Sequence, residues 1–264
     1  MPWYYVPVTI LTTTPIFIIL SFFIGFFIIL KKFFFNLIEL NNDENIWKNI
    51  LELNLLYSLI IIFLTIIFII ELNATIYTGW RQLYFIYPSI IFICIYGIDF
   101  LFKNIKFKKI ICVILFSSII LNVFWIIKNH PYQYVFYNSL ITKKNIKNFE
   151  QDYYGVSNLQ ILKKLFEIKS KNTFKVYIFS VNPYHLSLNM INNRYNKEIL
   201  FVNDISQADY IITNHFYQKY YFRDKKLFAD VHPIEVERYL KDNFKLIYEI
   251  KSNGVSINSI YSNK

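Results

Sequence analysis

Four long apolar stretches dominate the first half of the chain. They cover about 10–30, 53–70, 84–102 and 110–127, and each holds at most one charged residue. A helix needs roughly 20 residues to cross a hydrocarbon core about 30 Å thick. The pattern therefore predicts four transmembrane helices, with the second and fourth near the short limit.

The pattern changes after about residue 128, where short mixed segments replace the long apolar runs. Helical spacing of apolar residues predicts a helix over Ser157–Ile168, with Ser157 as its cap, and a second helix over Pro233–Lys241. Short β-branched and aromatic runs bounded by turn residues predict strands. They cover Phe174–Ser180, Ile199–Val202, Tyr210–Thr213, Phe244–Ile250 and Val255–Tyr261.

Together these segments predict a small α/β domain over 150–264, preceded by an interfacial connector over 129–149. The pair Asn253-Gly254 stands between the last two predicted strands. Asn-Gly between apolar runs is a strong signal for a tight β-hairpin. The fold class expected is thus a four-helix membrane segment followed by a small extracytoplasmic α/β domain.

Composition narrows the class further. Hydrophobic residues make up 55% and aromatic residues 20% of the 264 positions, which is unlike an ordinary soluble domain. The net charge of +10 accompanies a general excess of Lys, Asn and Ile typical of AT-rich coding, so no nucleic-acid partner is predicted. No glycine-rich phosphate loop follows a predicted strand, and the intervals between His185, His215 and His232 match no standard metal-ligand spacing.

Orientation follows from the positive residues, because short loops rich in Lys and Arg stay cytoplasmic. The first connection holds Lys31, Lys32 and Lys48, and the third is also rich in lysine, whereas the second holds only Arg81. This distribution predicts a multi-pass protein of the cytoplasmic (inner) membrane. Its amino terminus and the segment after Lys128 are expected on the extracytoplasmic side, and the lipid bilayer is its first expected partner.

Four polar and aromatic clusters occur along the chain, at Pro2–Pro7 with Thr13–Pro15, at Gly79–Pro88, at His130–Asn138 and at Asp152–Ser157. In this order they resemble segments of the GT-C type membrane glycosyltransferases, the polyprenyl-phosphate-sugar-dependent bacterial relatives of protein mannosyltransferases. The resemblance covers most of the chain. It implies transfer of a sugar from a polyprenyl-phosphate donor to an envelope acceptor on the outer face.

The resemblance also implies many more transmembrane helices, with an acidic residue in the first outward loop as the base or metal contact. This chain matches the carboxy-terminal portion of the family, so the catalytic residue is expected outside it. No cofactor is expected in this chain, while the complete enzyme would allow a divalent cation and a separately encoded amino-terminal half. A split gene, a truncated reading frame and a divergent short homologue all remain open.

A different class of function also remains open. The chain could be a non-catalytic membrane subunit or a protein that binds envelope glycans. The run Tyr217–Arg223, rich in aromatic and basic residues, suits glycan stacking, the membrane surface or a plain surface loop.

Arg81 is the leading candidate for contact with the donor phosphate. A guanidinium binds an anionic phosphate through paired, charge-assisted hydrogen bonds. The alternative is an interfacial arginine that reaches lipid headgroups or pairs with Glu71. His130, Tyr84, Tyr132 and Gln133 complete the set of donor phosphate or lipid-binding candidates.

The alternative for the segment after the fourth helix is an aromatic belt of Tyr132, Tyr134 and Tyr137, with His130 and Gln133 bonded within the loop. Glu71 is a weak candidate because it lies at a helix end within reach of water. Asp152 is another: by resemblance it would shape the acceptor side, and otherwise it is a turn residue before a helix. Thr12, Thr13 and Thr14 are expected to satisfy the backbone groups freed by Pro15.

Overall fold

The computed structural model describes most of the chain as two compact units. The described residues are 2–39, 46–74, 76, 79–146, 149, 151–168, 173–180, 182–191, 198–215 and 233–263. The membrane unit comprises Met1–Lys128 with Tyr137–Leu140, and the C-terminal unit comprises Asn129–Phe136 with Ile141–Lys264. The connector predicted over 129–149 is therefore divided between the two units. The run 217–223 and His232 lie outside the described residues.

Helices account for the secondary structure described in the membrane unit. They are α1 Tyr5–Thr13, α2 Ile16–Ile38, α3 Ile50–Glu71, α4 Tyr87–Asn104 and α5 Lys108–Lys128, and a 3-10 helix Arg81–Ile86 leads into α4. Four segments are long and apolar enough to cross a membrane, namely α2, α3, α5 and the combined stretch Arg81–Asn104. The predicted multi-pass membrane class is confirmed.

The first predicted span, 10–30, has the wrong boundaries. The helix is interrupted at Pro15. Residues before it form the separate helix α1, and α2 begins at Ile16. Proline has no backbone N–H and its ring disfavours helix in the residue before it. At the other end α2 continues through Lys31 and Lys32 to Ile38. Long lysine side chains reach the interface from a continuing helix, so charge alone does not end it.

Glycines bring α2 and α4 into backbone contact. A Cβ atom added to Gly25 would lie 2.2 Å from the carbonyl oxygen of Ile93, and one added to Gly97 would lie 2.6 Å from that of Ser21. Small residues of this kind allow membrane helices to approach closely. In contrast α5 buries none of its residues, and its exposed side chains are mainly apolar. Such surfaces are suited to contact with lipid.

The C-terminal unit is built on one five-stranded sheet. Its strands are β1 Thr173–Ile178, β2 Glu198–Val202, β3 Tyr210–Thr213, β4 Phe244–Ser252 and β5 Val255–Asn263. They lie in the order β2-β1-β3-β5-β4. The first three strands are parallel, and β5 runs antiparallel to both β3 and β4. The mixed sheet with its helices confirms the predicted α/β character of this region.

The hairpin between β4 and β5 forms where the sequence predicts it. Asn253 and Gly254 have φ angles of 55° and 72°, and Ser252 pairs with Val255 across the turn. A two-residue turn of this type requires positive φ at both central positions, which Asn and Gly tolerate best. The local sequence therefore determines this connection without help from the rest of the fold.

Helices cover both faces of the sheet. The longer ones are α7 Val156–Ile168 and α9 Pro233–Asn243, accompanied by the short α6 Lys143–Ile146 and α8 His185–Asn189. Val236 and Leu240 of α9 pack with Tyr261 of β5, whereas Asn258 of β5 donates to Ser157 of α7. Alternate residues of a strand point to opposite faces, so α7 and α9 lie on opposite sides.

Candidate functional site

The break between α1 and α2 is held by one asparagine from a distant segment. Asn138 donates from Nδ2 to the carbonyl oxygens of Leu11 and Thr14 at 2.6 and 2.7 Å, and from its backbone N–H to Thr12 at 2.8 Å. These are carbonyls that the interrupted helix leaves without backbone partners. Asn138 is itself 6% exposed, so these bonds lie in the interior of the membrane unit.

The prediction that Thr12–Thr14 satisfy the groups freed by Pro15 is wrong. Thr12 and Thr13 instead donate to the carbonyls of Val8 and Thr9, one helical turn earlier. A threonine hydroxyl in a helix reaches the carbonyl four residues back more readily than one beyond its own position. The groups at the break are consequently available to Asn138.

The loop before α4 meets α1 at two further hydrogen bonds. The N–H of Gly79 donates to the hydroxyl of Tyr5 at 3.1 Å, and Trp80 Nε1 donates to Thr13 Oγ1 at 2.8 Å. Gly79 has a φ of 65°, a conformation that favours glycine. We call Tyr5, Thr13, Gly79, Trp80 and Asn138 the proline-break cluster. It joins segments that are far apart in the sequence.

Arg81 follows this cluster directly and is the first residue of the 3-10 helix. Leu83 and Ile86 anchor this helix in the apolar core, at 4% and 0% exposure. Arg81 is half-buried, while Tyr84 is 60% exposed and meets Trp80 edge-to-face at 4.9 Å. A guanidinium and a tyrosine ring thus lie at the start of the third membrane span.

His130 and Gln133 form a hydrogen-bonded pair in the C-terminal unit. Gln133 Nε2 lies 2.7 Å from His130 Nδ1. In this orientation of the Gln133 amide its nitrogen donates, so Nδ1 accepts and Nε2 faces away from the amide. His130 is exposed and Gln133 half-buried. The pair therefore leaves the other ring nitrogen of His130 to donate a hydrogen bond to a phosphate or sugar oxygen.

Tyr132 differs from the other residues predicted to contact the sugar donor, because it is buried. Its side chain is 6% exposed, and its hydroxyl donates to Oε1 of Gln160. Burial raises the pKa of Tyr132 to about 12, with the nearby Asp152 carboxylate adding to the effect. The phenol therefore stays protonated and acts as a fixed donor within the C-terminal unit.

Asp152 lies fully inside the C-terminal unit, at 0% exposure. Its carboxylate accepts from the hydroxyls of Tyr134 and Ser157 and from the backbone N–H groups of Val156 and Ser157, the latter two at 3.0 and 3.2 Å. Burial raises the pKa of Asp152 above its ordinary value, and the hydrogen bonds that favour the charged form oppose this only in part.

These contacts identify Asp152 as the residue that satisfies the first N–H groups of α7. Ser157, predicted as the cap, lies inside the helix and is wrong in that role. The reason is the turn at Gly155, whose φ of 63° brings the chain back so that the carboxylate reaches the helix start. Tyr134 and Asp152 belong to two of the four resembling clusters, and the hydrogen bond between them joins these clusters.

The remaining acidic candidate, Glu71, lies at a helix end. Glu71 is the last residue of α3 and is exposed. Asp99 is also exposed and pairs with Lys103 at 2.6 Å within α4. Neither carboxylate lies in an apolar interior where its charge would have to be compensated.

One buried carboxylate of the membrane unit was missed by the sequence reasoning. Glu52 is 2% exposed, and it accepts from Lys32 at 2.8 Å, Asn36 at 3.1 Å and the N–H of Lys48 at 2.7 Å. A local signal existed, because Asn49 three residues earlier is a strong helix cap and Glu at this spacing completes a capping box. Through Lys32 and Asn36, Glu52 links the first turn of α3 to α2.

Comparisons of the chain with known protein families, with curated proteins and with solved structures found no match.

Proposed function

We propose that this chain is part of a membrane glycosyltransferase of the GT-C type. In this proposal a sugar moves from a polyprenyl-phosphate donor to an envelope acceptor. The observation that supports it most is that three of the four resembling segments meet within the membrane unit: Tyr5 contacts Gly79, Thr13 contacts Trp80, and Asn138 contacts Thr14. Segments with a common role in one site are expected to converge in this way.

The positive residues support the orientation that this function needs. Lys31, Lys32 and Lys48 flank the connection between α2 and α3, and the short connection between α4 and α5 is also lysine-rich. With both connections in the cytoplasm, Arg81 and the segment after Lys128 lie on the extracytoplasmic side of the cytoplasmic membrane.

Arg81 has the chemistry required for the leaving group. During transfer the bond between the sugar C1 and the phosphate oxygen breaks, and C1 joins an acceptor oxygen. Negative charge grows on the departing lipid phosphate, and a guanidinium stabilises it through two parallel N–H donors. Tyr84 of the membrane unit, and separately the His130–Gln133 pair of the C-terminal unit, remain further candidates for contact with the sugar donor. The proton of the acceptor hydroxyl passes to a base, and the proposal assigns that role to no residue of this chain.

The test is binding of undecaprenyl phosphate to the full chain in lipid nanodiscs. Arg81→Gln removes the charge while keeping a side chain of similar length. We expect the dissociation constant to rise by roughly ten- to a hundredfold, as for loss of about 1.5–3 kcal/mol from a charged hydrogen bond. Arg238→Gln, an exposed arginine of α9, is the matched control and should leave the affinity unchanged.

Three outcomes contradict the proposal. Either the wild-type chain does not bind undecaprenyl phosphate above the level of an unrelated four-helix membrane protein, or Arg81→Gln and Arg238→Gln have the same effect. Binding of a phosphate-free polyprenol with equal affinity also contradicts it, because the proposed contact is with the phosphate.

A further inference from the structure

Three tyrosines cluster around the turn that precedes α7. The ring of Tyr154 lies 5.5 Å from that of Tyr134 and 5.4 Å from that of Tyr153, with interplanar angles of 79° and 87°. Tyr154 is 54% exposed and Tyr134 36% exposed. We call these three residues the tyrosine platform. It presents aromatic surface to solvent.

The turn that carries the platform is rigidly held. Asn182 Nδ2 donates to the carbonyls of Asp152 and Tyr153, both at 2.9 Å, and Asn214 Nδ2 donates to Asp152 at 3.0 Å. The hydroxyl of Tyr134 is bonded to the Asp152 carboxylate. Side chains and backbone that are already ordered lose less conformational entropy when a ligand binds. The platform is therefore pre-organised for binding.

Its position in the sheet is where open α/β sheets bind ligands. Asn182 follows β1 and Asn214 follows β3, so both lie at carboxyl ends of adjacent parallel strands. The strand order β2-β1-β3 places the two successors of β1 on its opposite sides. Ligands of open sheets bind outside the carboxyl ends of the strands at such a switch point. Here Asn182 and Asn214, which follow two of these strands, bind the turn that carries Tyr153 and Tyr154.

We propose that the tyrosine platform binds a pyranose ring of a glycan. The inference rests on the proposed function and supplies it with a binding surface for the carbohydrate part of a substrate. A tyrosine ring has a negative face that can pack against the C–H groups of a sugar. The neighbouring His130 and Gln133 lie on the same segment as Tyr134 and supply polar groups for sugar hydroxyls. Small-molecule sites combine apolar walls with a few polar groups in this manner.

The experiment probes a microarray of hexose- and N-acetylhexosamine-containing oligosaccharides with the full chain in detergent micelles. Calorimetry then measures affinity for the strongest ligand. We expect Tyr154→Ala to weaken binding at least tenfold and Tyr154→Phe, which keeps the ring, to stay within threefold. Leu246→Ala, which alters another exposed apolar side chain of the unit, is the control and should bind like wild type.

Absence of binding to every oligosaccharide overturns the proposal, as does equal binding by wild type and Tyr154→Ala. It is also overturned if glycans do not bind and Tyr154→Ala lowers stability in lipid nanodiscs but not in detergent, since the tyrosines then contact the bilayer. The assay contains no polyprenyl donor, so its result does not depend on the phosphate contact proposed for Arg81. Glycan binding without undecaprenyl phosphate binding would contradict only the transferase proposal.

Discussion

The two units of this protein are stabilised in opposite ways. In the membrane unit many large apolar side chains face outward, and α5 buries none of its residues. In the C-terminal unit residues such as Phe166, Phe179 and Tyr261 are buried at 2% exposure or less. Burial of apolar surface drives folding in water, but lipid tails are as apolar as the side chains themselves. The membrane helices must therefore associate through close backbone packing and hydrogen bonds.

Polar residues show the same contrast. In the membrane unit Asn138 and Glu52 satisfy groups at helix ends and connections, where the backbone hydrogen bonding of a helix is incomplete. In the C-terminal unit Asp152 lies within the packed interior and its charge is opposed by burial. The stability of the membrane unit thus depends on close packing and hydrogen bonds at a few contacts. In the C-terminal unit, burying the Asp152 charge costs free energy, and this cost changes with pH.

The largest effect is expected from Gly25→Ala. In an exposed helix this change stabilises by about 1 kcal/mol because alanine is the better helix former. Here the new Cβ would lie 2.2 Å from the Ile93 carbonyl oxygen, so α2 and α4 have to separate. We expect a loss of about 3 kcal/mol, seen as a lower thermal midpoint in detergent micelles.

Ser117→Ala on α5 is the control for Gly25→Ala, because Ser117 is exposed. Its midpoint should match that of wild type. An unchanged or higher midpoint for Gly25→Ala would show that backbone contact does not hold these helices together, and the contrast between the two units would fail.

A smaller effect is expected from Asn138→Ala. The change leaves the carbonyls of Leu11 and Thr14 without the donors seen in the structure, at a cost of about 2 kcal/mol. Asn104→Ala is the matched control, since Asn104 donates to the Phe100 carbonyl but is exposed and water replaces it. Denaturation in mixed micelles measures both. Equal losses for the two variants would contradict a special role for the proline-break cluster.

The smallest effect concerns pH and the C-terminal unit. Because the folded pKa of Asp152 is raised above the ordinary 3.8, the folded state holds a proton that the unfolded state releases. The unfolding free energy of wild type relative to Asp152→Asn should therefore rise as the pH falls from the raised pKa towards 3.8. Urea titrations followed by tyrosine circular dichroism measure it.

Asp204 is the control, because its contribution to stability is expected to change with pH in the opposite direction. A hydrogen bond from the N–H of Ser206 lowers the pKa of Asp204 below its ordinary value. Its contribution to stability is present above the ordinary pKa and is lost as the pH falls through the lowered one. The difference between wild type and Asp204→Asn should thus shrink on acidification. If both variants gave the same slope, burial of Asp152 would not govern the pH response.

Features with a local cause were predictable from the sequence. The hairpin at Asn253-Gly254 formed as expected because its two residues alone favour the required φ angles. Glu52 was also within reach, because the Asn49 cap stands three residues before it. The cap of α7 was assigned to the wrong residue, because the choice between Asp152 and Ser157 depends on how Gly155 turns the chain.

By itself the sequence determined the number of membrane spans, the strands and the hairpin, but not the bounds of the first span, since length, periodicity and turn residues act over a few neighbouring positions. Only the tertiary structure decided which groups meet. Asn138 reaches carbonyls more than a hundred positions away, Gly25 faces Ile93 of another helix, and Tyr134 shares the Asp152 carboxylate with Ser157. Such partners depend on how elements pack in three dimensions, and no local pattern of residues specifies that.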